Sequence, residues 1–202
     1  MADERSFFRI PERKAKIFVL SGLSGSGKDS VLKELKKHDL GLHFVITATT
    51  REPRLGEENG VDYFFVSVAE FEEMIASDKL IEHAVVYEQY KGIPKSQISE
   101  AIDSGKDVVV RVDVQGAARV KSLFPDAILI FLIPANEDEW KKRLINREGD
   151  TEEQLKVRSA TARQELERLD EFNYIVVNPQ NRLDIAVQNV ISIITAERHR
   201  IN

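Results

Sequence analysis

The chain has 202 residues, 42% hydrophobic and 31% charged, a length and composition typical of one globular domain with a full core. Its formal net charge of −5 argues against a general nucleic-acid-binding surface, which has to be basic. It contains no cysteine, which excludes disulfides and thiolate metal sites, and no apolar run approaches the ~20 residues that span a bilayer.

The N-terminal segment, residues 1–16, carries charges of both signs and lacks the long apolar centre of a secretory signal. The four histidines show no spacing typical of metal ligands. We therefore expect a cytoplasmic protein with neither a nucleic acid nor a membrane as its partner.

The first predicted element is a buried strand at 17–21, followed by the loop GLSGSGKDS at 22–30 and a helix from Lys28. The loop almost fits the pattern G-x-x-x-x-G-K-[ST], in which backbone N–H groups and the lysine bind nucleotide phosphates. Strand, glycine loop and helix are the context that this phosphate loop requires. We therefore predict an ATP site made of Gly22, Leu23, Ser24, Gly25, Ser26, Gly27, Lys28, Asp29 and Ser30.

Asp29 departs from this pattern, because a Ser or Thr hydroxyl normally binds the Mg²⁺ of the nucleotide at its position. A carboxylate oxygen is also a suitable ligand for Mg²⁺, directly or through a water molecule. Alternatively, Asp29 serves only the helix, whose first turn favours a negative charge. The sequence leaves both interpretations open.

Residues 47–93 interrupt the simple alternation of strands and helices. They begin with the polar segment TATTREPRLGEENGVDYFFV, and a helix from about Val68 and a strand at 80–86 follow. Arg51 and Arg54 lie three residues apart around a proline and can fork around one phosphate, with Tyr63 as a third donor. On these residues alone, a solvated charged loop is an equally good interpretation.

Further buried strands are predicted at 107–113, 127–133 and 174–177, and a last helix from about residue 182. Such continuous apolar runs between helical patterns indicate a parallel sheet covered on both faces. Asp113, at a strand's carboxyl end, is expected to face the ligand crevice, to cap the next helix, or both. Residues 137–167 are predicted to be helical and carry four arginines: Arg143, Arg147, Arg158 and Arg163.

The segment 49–66, TTREPRLGEENGVDYFFV, resembles the GMP-binding segment of the guanylate kinase family, TTRxPRxGExxGxDYxFV. The resemblance covers roughly residues 16–195 and continues through LIEHA (80–84), DVQG (113–116), KRL (142–144), DTEE (150–153) and VN (177–178). It implies a single α/β domain over 1–202, with a P-loop NTPase parallel sheet and helices on both faces. The implied parts are a core (about 16–46, 94–136 and 168–202), an inserted GMP-binding subdomain (about 47–93) and a helical lid (about 137–167).

The resemblance also implies a reaction and a set of roles. The reaction is in-line transfer of a phosphoryl group from ATP to GMP, and to dGMP, giving GDP and ADP with Mg²⁺ as cofactor. The implied catalytic residues are Lys28, Arg54, Arg147 and Arg158, and Arg143 and Asn178 join the ATP site. GMP would be bound by Thr47, Arg51, Arg54, Glu57, Tyr63, Glu82, Lys91 and Asp113, and Mg²⁺ by Asp29 and Asp113, in part through water.

Glu82 is the residue implied to read the base. Guanine presents N1–H and the N2 amino group as adjacent donors, and one ionised carboxylate accepts from both. Adenine has an acceptor at N1, so it would face the carboxylate with a lone pair and be rejected.

Two further positions depart from the family pattern besides Asp29. In Tyr90-Lys91-Gly92-Ile93-Pro94, most members have a second Tyr and a final Thr or Ser, which contact GMP. Lys91 can replace that Tyr as a point charge or point to solvent, whereas Ile93 cannot donate a hydrogen bond. Arg111 stands where most members have an acidic residue. The combination resembles a branch of plant organelles and some bacteria, so an organelle is the alternative location.

Two other functions compete with the GMP kinase. Guanylate-kinase-like modules of scaffold proteins bind phosphopeptides and lack the phosphate loop, which Gly27 and Lys28 preserve here. A related kinase could instead phosphorylate a phosphorylated ribose, but Thr47 and Glu82 favour guanine. The sequence leaves protein partners and oligomeric state open.

Overall fold

A computed structural model of the chain describes residues 13–86, 89–145 and 152–201. The strands there are β1 (Ile17–Gly22), β2 (Leu42–Phe44), β3 (Thr47–Thr49), β4 (Tyr63–Phe65), β5 (Leu80–Val86), β6 (Gln89–Pro94), β7 (Asp107–Arg111), β8 (Ile128–Pro134) and β9 (Tyr174–Asn178). The helices are α1 (Lys28–Leu35), α2 (Val68–Ala76), α3 (Lys95–Asp103), α4 (Val114–Leu123), α5 (Glu137–Ile145), α6 (Glu152–Leu166) and α7 (Leu183–Arg198), with a 3₁₀ turn at Leu169–Glu171.

The central sheet has the strand order β2-β7-β1-β8-β9, and all of its pairs are parallel. Successive side chains of a strand point to opposite faces, so an apolar run is buried only if both faces are covered. Phe18 and Leu20 of β1 lie in one core with α1 and α7. Ile17 and Val19 lie in the other core with α3 and α4. The predicted α/β fold with helices on both faces is confirmed.

The second sheet is built from residues 47–94 in the order β4-β3-β6-β5 and contains parallel and antiparallel pairs. Helix α2 packs on it through Phe71, which is fully buried and stacks on Tyr90 at 5.1 Å between ring centroids. A capping box between Ser67 and Glu70 fixes the start of α2. This sheet places residues 47–66, the predicted GMP-binding segment, beside the central sheet. We call them the acceptor segment.

Some predicted boundaries were wrong. The predicted strand 107–113 ends at Arg111, because Asp113 is the N-cap of α4 and accepts a hydrogen bond from the Gly116 N–H at 2.7 Å. Strands β2, β3 and β4 have three residues each, too few for an alternating pattern to be recognised. β6 and α3 were also not predicted as elements.

A buried carboxylate ties the segment before β1 and the end of α7 to the central sheet. Asp107, the first residue of β7, is fully buried. Its oxygens accept from the Arg13 guanidinium at 2.8 Å, the Lys16 backbone N–H at 2.8 Å and the Arg198 guanidinium at 2.7 Å. Burial alone would raise the pKa of Asp107, but these donors lower it overall. Its contribution to stability is therefore present at neutral pH and is lost in acid.

We predict that Asp107→Ala lowers the free energy of unfolding by about 3 kcal/mol, because it leaves two arginines without their buried partner. Chemical denaturation measures the loss. Asp103→Ala, at the exposed end of α3, is the matched control and should change stability by less than about 0.5 kcal/mol. Equal stability of Asp107→Ala and the wild type would contradict the anchoring role.

The carboxyl ends of β1, β7 and β8 meet at one edge of the central sheet, where parallel α/β proteins bind ligands. Helices α5 and α6 pack there, and Trp140, Leu144 and Ala162 form a small core with Phe131. Within the described ranges, none of the helices is long and apolar enough to cross a membrane.

Candidate active site

The loop between β1 and α1 depends on glycines at two positions. Gly22 has a φ of 133°, and a Cβ there would lie 2.0 Å from the Leu132 carbonyl oxygen. Gly27 has a φ of 92°, and a Cβ there would lie 2.4 Å from Nδ2 of Asn178. Only glycine accepts such conformations in such close contact. Gly27 is also the N-cap of α1, so the loop ends at a helix N-terminus, which attracts anions.

Lys28 closes the loop. Its Nζ donates to the backbone carbonyls of Gly22 at 2.7 Å and Leu23 at 3.0 Å. Burial lowers the pKa of Lys28, although the carboxylates of Glu165, Asp29 and Asp113 oppose that effect. A desolvated ammonium with carboxylates around it is well suited to exchange its carbonyl partners for phosphate oxygens.

Side chains from distant elements hold the loop from outside. Asn178, which is buried, donates to the Ser26 carbonyl at 2.8 Å, and Arg143 donates to the Asn178 carbonyl at 2.8 Å and the Ser26 carbonyl at 3.3 Å. The Trp140 indole donates to the Ser24 carbonyl at 2.8 Å. α5 and the end of β9 therefore fix the loop through its carbonyls.

Helix α6 reaches the same loop. Arg158 donates to the Ser24 hydroxyl at 3.1 Å. Glu165 lies about two turns further along the helix. Burial raises its pKa, while the Lys28 charge and the Ser24 N–H oppose the rise. Of the predicted lid arginines, Arg158 and Arg143 thus lie at the loop, whereas Arg147 lies outside the described residues. Arg163 is exposed.

In the acceptor segment, a carboxylate organises the predicted arginine pair. Glu57 accepts two bonds of 2.6 Å from Arg51 and one of 2.8 Å from the Arg54 backbone N–H. The hydrogen bond from Arg51 lowers the pKa of Glu57 to about 2. Glu57 is thus placed to orient Arg51, and the exposed Arg54 side chain follows on the same turn.

Tyr63 lies between two guanidinium groups. Arg51 lies 4.8 Å and Arg111 5.0 Å from its ring centroid, and Arg111 donates to its hydroxyl at 2.7 Å. Lys91 is half-buried on β6, and burial lowers its pKa, as do the charges of Arg111 and Arg51. Lys91 therefore faces this cationic cluster rather than open solvent. Ile93 is fully buried in the core, which explains why it needs no polar partner.

A cavity of about 370 Å³ between α2, β5 and α4 contains the predicted base-reading residue. Both Glu82 and Asp113 line it. Burial, and then the Asp113 charge, raise the pKa of Glu82 to about 7. Gly116 allows this approach, since a Cβ there would lie 3.2 Å from the Glu82 carboxyl carbon. The half-buried Thr47 starts β3, which β6 separates from β5, and it is not among the residues that line this cavity.

If Glu82 reads guanine, as the resemblance to guanylate kinases implies, its raised pKa predicts that GMP affinity falls as the pH drops. Guanine donors bind only the ionised carboxylate, so its protonation competes with the base. With a pKa of about 7, binding should weaken about tenfold from pH 8 to pH 6, as titration calorimetry can measure. The GMP phosphate titrates near pH 6 as well. Glu82→Gln should keep the pH dependence that comes from the GMP phosphate and lose the dependence above pH 6.5 that comes from the carboxylate. An unchanged profile would contradict the assignment.

Asp29 has a partner that the sequence did not predict. Arg111, at the carboxyl end of β7, contacts the Asp29 carboxylate. Asp29 is 66% exposed, whereas the Arg111 side chain is only 18% exposed. The other guanidinium nitrogen reaches Tyr63, so a continuous chain of contacts joins the phosphate loop to the acceptor segment.

Ser30 is exposed in the first turn of α1, and Thr47 does not line the Glu82 cavity. Within the described residues, the structure brings Lys28, Arg143, Arg158 and Asn178 together at the phosphate loop, and Arg51, Glu57 and Tyr63 together in the acceptor segment. It adds Arg111, Trp140 and Glu165. Arg111 was visible as a departure from the family pattern, but without an assigned role. Trp140 and Glu165 gave no sequence signal, because single residues on charged helices carry none. Across the described parts of the chain, no three His, Cys, Asp or Glu side chains are grouped to hold a metal ion.

Fold and site define a class: an α/β protein with a phosphate loop, a second cationic site beside it and helical arginines at the loop. A family model described as guanylate kinase matches residues 14–197, so the chain belongs to the guanylate kinase family. It is 47% identical over 193 residues to guanylate kinase 2, chloroplastic/mitochondrial, of Oryza sativa subsp. japonica, covering 95% of this chain and 68% of that one.

Bacterial proteins are also similar. A guanylate kinase of Halalkalibacterium halodurans is 40% identical over 188 residues, covering 93% of this chain and 91% of that one. The crystal structure of guanylate kinase from Anaplasma phagocytophilum has a TM-score of 0.76 at 25% identity, covering 94% and 89% of the two chains. This chain catalyses the reaction of its family, the ATP-dependent phosphorylation of GMP to GDP.

Proposed function

We propose that the chain phosphorylates GMP, and dGMP, by in-line transfer across the edge of the central sheet, with ADP as second product. The observation that carries this proposal is the contact chain Asp29–Arg111–Tyr63, which sets the acceptor segment directly beside the phosphate loop. Phosphoryl transfer asks mainly for positioning and for neutralisation of charge. Both sites supply cations on either side of the transferring group.

On the donor side, the loop 22–30 would bind the ATP phosphates through backbone N–H groups and Lys28. Arg158, already at the Ser24 hydroxyl, would move onto the transferring phosphoryl group, and Arg147 is proposed for the same task. Arg143 and Asn178 would support the loop and the adenine end of the site. Arginines fit this role because their guanidinium forks match phosphate oxygens.

On the acceptor side, Arg51, Arg54 and Tyr63 would bind the GMP phosphate, with Glu57 holding Arg51 in place and Lys91 adding charge. Glu82 would read guanine in the cavity, and Thr47, on β3, is proposed to assist it. None of these proposed contacts uses the ribose 2′-hydroxyl, so we propose dGMP as a second substrate.

Magnesium fits this site as an ion that enters with ATP. Mg²⁺ is usually held by one or two carboxylates together with substrate phosphates and waters. Asp113 would hold it through water, while one of its oxygens caps α4. The same role for Asp29 stays a prediction, since Arg111 already binds its carboxylate. When bound, the ion would neutralise charge on the phosphates.

For location, we propose the cytoplasm. The alternative is an organelle, for which the rice relative's name gives support. Nucleic acids and membranes are not proposed as partners.

A coupled ADP-release assay with ATP–Mg²⁺ tests the proposal, using GMP, dGMP, AMP, UMP and CMP as acceptors. We expect turnover with GMP and dGMP and much slower turnover with AMP. Tight GMP binding by folded protein without turnover would contradict catalysis and favour a binding module. Turnover with a phosphorylated ribose in preference to GMP would contradict the guanine assignment.

A further inference from the structure

Arg111 joins the phosphate loop to the acceptor segment through Asp29 and Tyr63, but it has no assigned part in the transfer itself. Asp29 is the second residue of α1, and Arg111 is the last residue of β7, so the contact joins two elements on different layers of the fold. Exposed ion pairs contribute little by themselves. Here, however, the Arg111 side chain is 18% exposed, and a cation that is largely removed from water needs a partner.

Arg111 uses its two terminal nitrogens for different partners. One contacts Asp29, and the other donates to the Tyr63 hydroxyl at 2.7 Å. The Tyr63 oxygen accepts this bond, so its own proton is available to donate elsewhere. A phenol that accepts from a cation is also a stronger donor. Arg111 therefore fixes both the position and the donor role of the hydroxyl that is proposed to bind the GMP phosphate.

The surroundings of Arg111 lie on both sides of the proposed transfer. Its positive charge lowers the pKa of Lys28 in the phosphate loop and that of Lys91 on β6. Its Cζ atom lies 5.0 Å from the centroid of the Tyr63 ring, and Arg51 also lies against that ring. Asp29, at the mouth of the loop, offsets the positive charge of Arg111 between these two lysines.

We propose that Arg111 is a positioning residue for phosphoryl transfer: held by Asp29, it orients the Tyr63 hydroxyl toward the acceptor phosphate and fixes the distance between the two phosphate sites. Reacting atoms need to approach to about 3–3.5 Å in line, so this distance affects the rate as well as GMP binding. The inference rests on the proposed function, because it assumes that Tyr63 contacts the GMP phosphate.

Arg111→Met, Tyr63→Phe and their double variant test the coupling. A hydrogen bond from a charged group is worth about 10- to 100-fold, so Arg111→Met should raise the Kd for GMP and lower kcat by about tenfold each. KM for ATP should change less than twofold. In the Tyr63→Phe background, Arg111→Met should have less than about threefold further effect. Effects that multiply in full would overturn the proposal, because Arg111 would then act without Tyr63.

Arg111→Lys separates charge from geometry, since lysine keeps the charge but cannot bridge two partners. We expect it to restore less than half of the kcat lost in Arg111→Met; full recovery would mean that charge alone matters. Melting curves of each variant establish folding. Guanosine, which lacks the phosphate, should bind wild type and Arg111→Met equally by calorimetric competition. A guanosine affinity that falls as much as the GMP affinity would overturn the proposal.

Asp29→Asn tests the other end of the pair. It should raise the Kd for GMP about three- to tenfold and leave the Mg²⁺ concentration for half-maximal rate unchanged. A shifted Mg²⁺ dependence with unchanged GMP affinity would make Asp29 a metal ligand and overturn its role here. Glu34→Gln is the matched control: the same helix loses a carboxylate paired with Lys37, and no GMP effect is expected. The affinities for GMP and guanosine are measured without turnover. Failure of the kinase assay is therefore distinguishable from failure of this proposal.

Discussion

Glu82→Gln is expected to lower kcat/KM for GMP about 10³-fold or more while leaving that for AMP unchanged or higher, which largely abolishes base selectivity. A glutamine amide accepts one guanine donor with its oxygen and places its own N–H₂ against the other. The same amide matches adenine, whose Watson–Crick edge has one acceptor and one donor. Steady-state assays with GMP and AMP at pH 8 measure both values. Unchanged selectivity would mean that another residue reads the base.

The same substitution should stabilise the protein without ligand. Burial raises the pKa of Glu82 to about 7, above its ordinary value of 4.5, so the folded state loses stability as the pH rises from about 4.5 to 7. At pH 8, Glu82→Gln should therefore raise the free energy of unfolding by up to ~2 kcal/mol, and at pH 4 by nothing. Glu72→Gln, on the exposed face of α2, is the control and should change neither stability nor selectivity. Lower stability at pH 8 would contradict this account.

Lys28→Met is expected to lower kcat about 10³-fold, because the amine neutralises phosphate charge most where charge develops in the transition state. GMP affinity should change less than twofold, since GMP is proposed to bind in the acceptor segment and the Glu82 cavity, not at the phosphate loop. Without ligand, the Lys28 Nζ donates to the Gly22 and Leu23 carbonyls, and the substitution removes both hydrogen bonds. Circular dichroism is therefore needed to show that the variant folds.

Lys33→Met, on the exposed face of α1, is the matched control for Lys28→Met and should keep wild-type rates. ATP affinity, measured by calorimetry, separates binding from catalysis. If folded Lys28→Met kept at least a tenth of the wild-type kcat, the proposed role of the amine would be wrong.

Much of the fold followed from local signals. The strand–glycine loop–helix segment and the runs that became β1, β7, β8 and β9 were predicted because buried parallel strands are continuous and apolar. The β-sheet of the acceptor region was predicted only at β5. Of its other strands, β3 and β4 have only three residues each, and β6 carries no continuous apolar run. They exist because α2 and the neighbouring strands cover them, with Phe71 and Tyr90 as the contact.

The sequence by itself determined which chemical groups are present: the loop glycines with Lys28, the forked arginines at 51 and 54, and the single carboxylate at 82 suited to guanine. Only the tertiary structure decided the partners. Asp29 was open to a metal role or a helix role from the sequence, and its contact with Arg111, 82 residues away, follows from no local pattern. Local spacing determines which groups an element presents, whereas an ion pair between α1 and β7 depends on how the layers pack. The low exposure of Arg111 then gives that pair its importance, because a charge removed from water must find its partner within the protein.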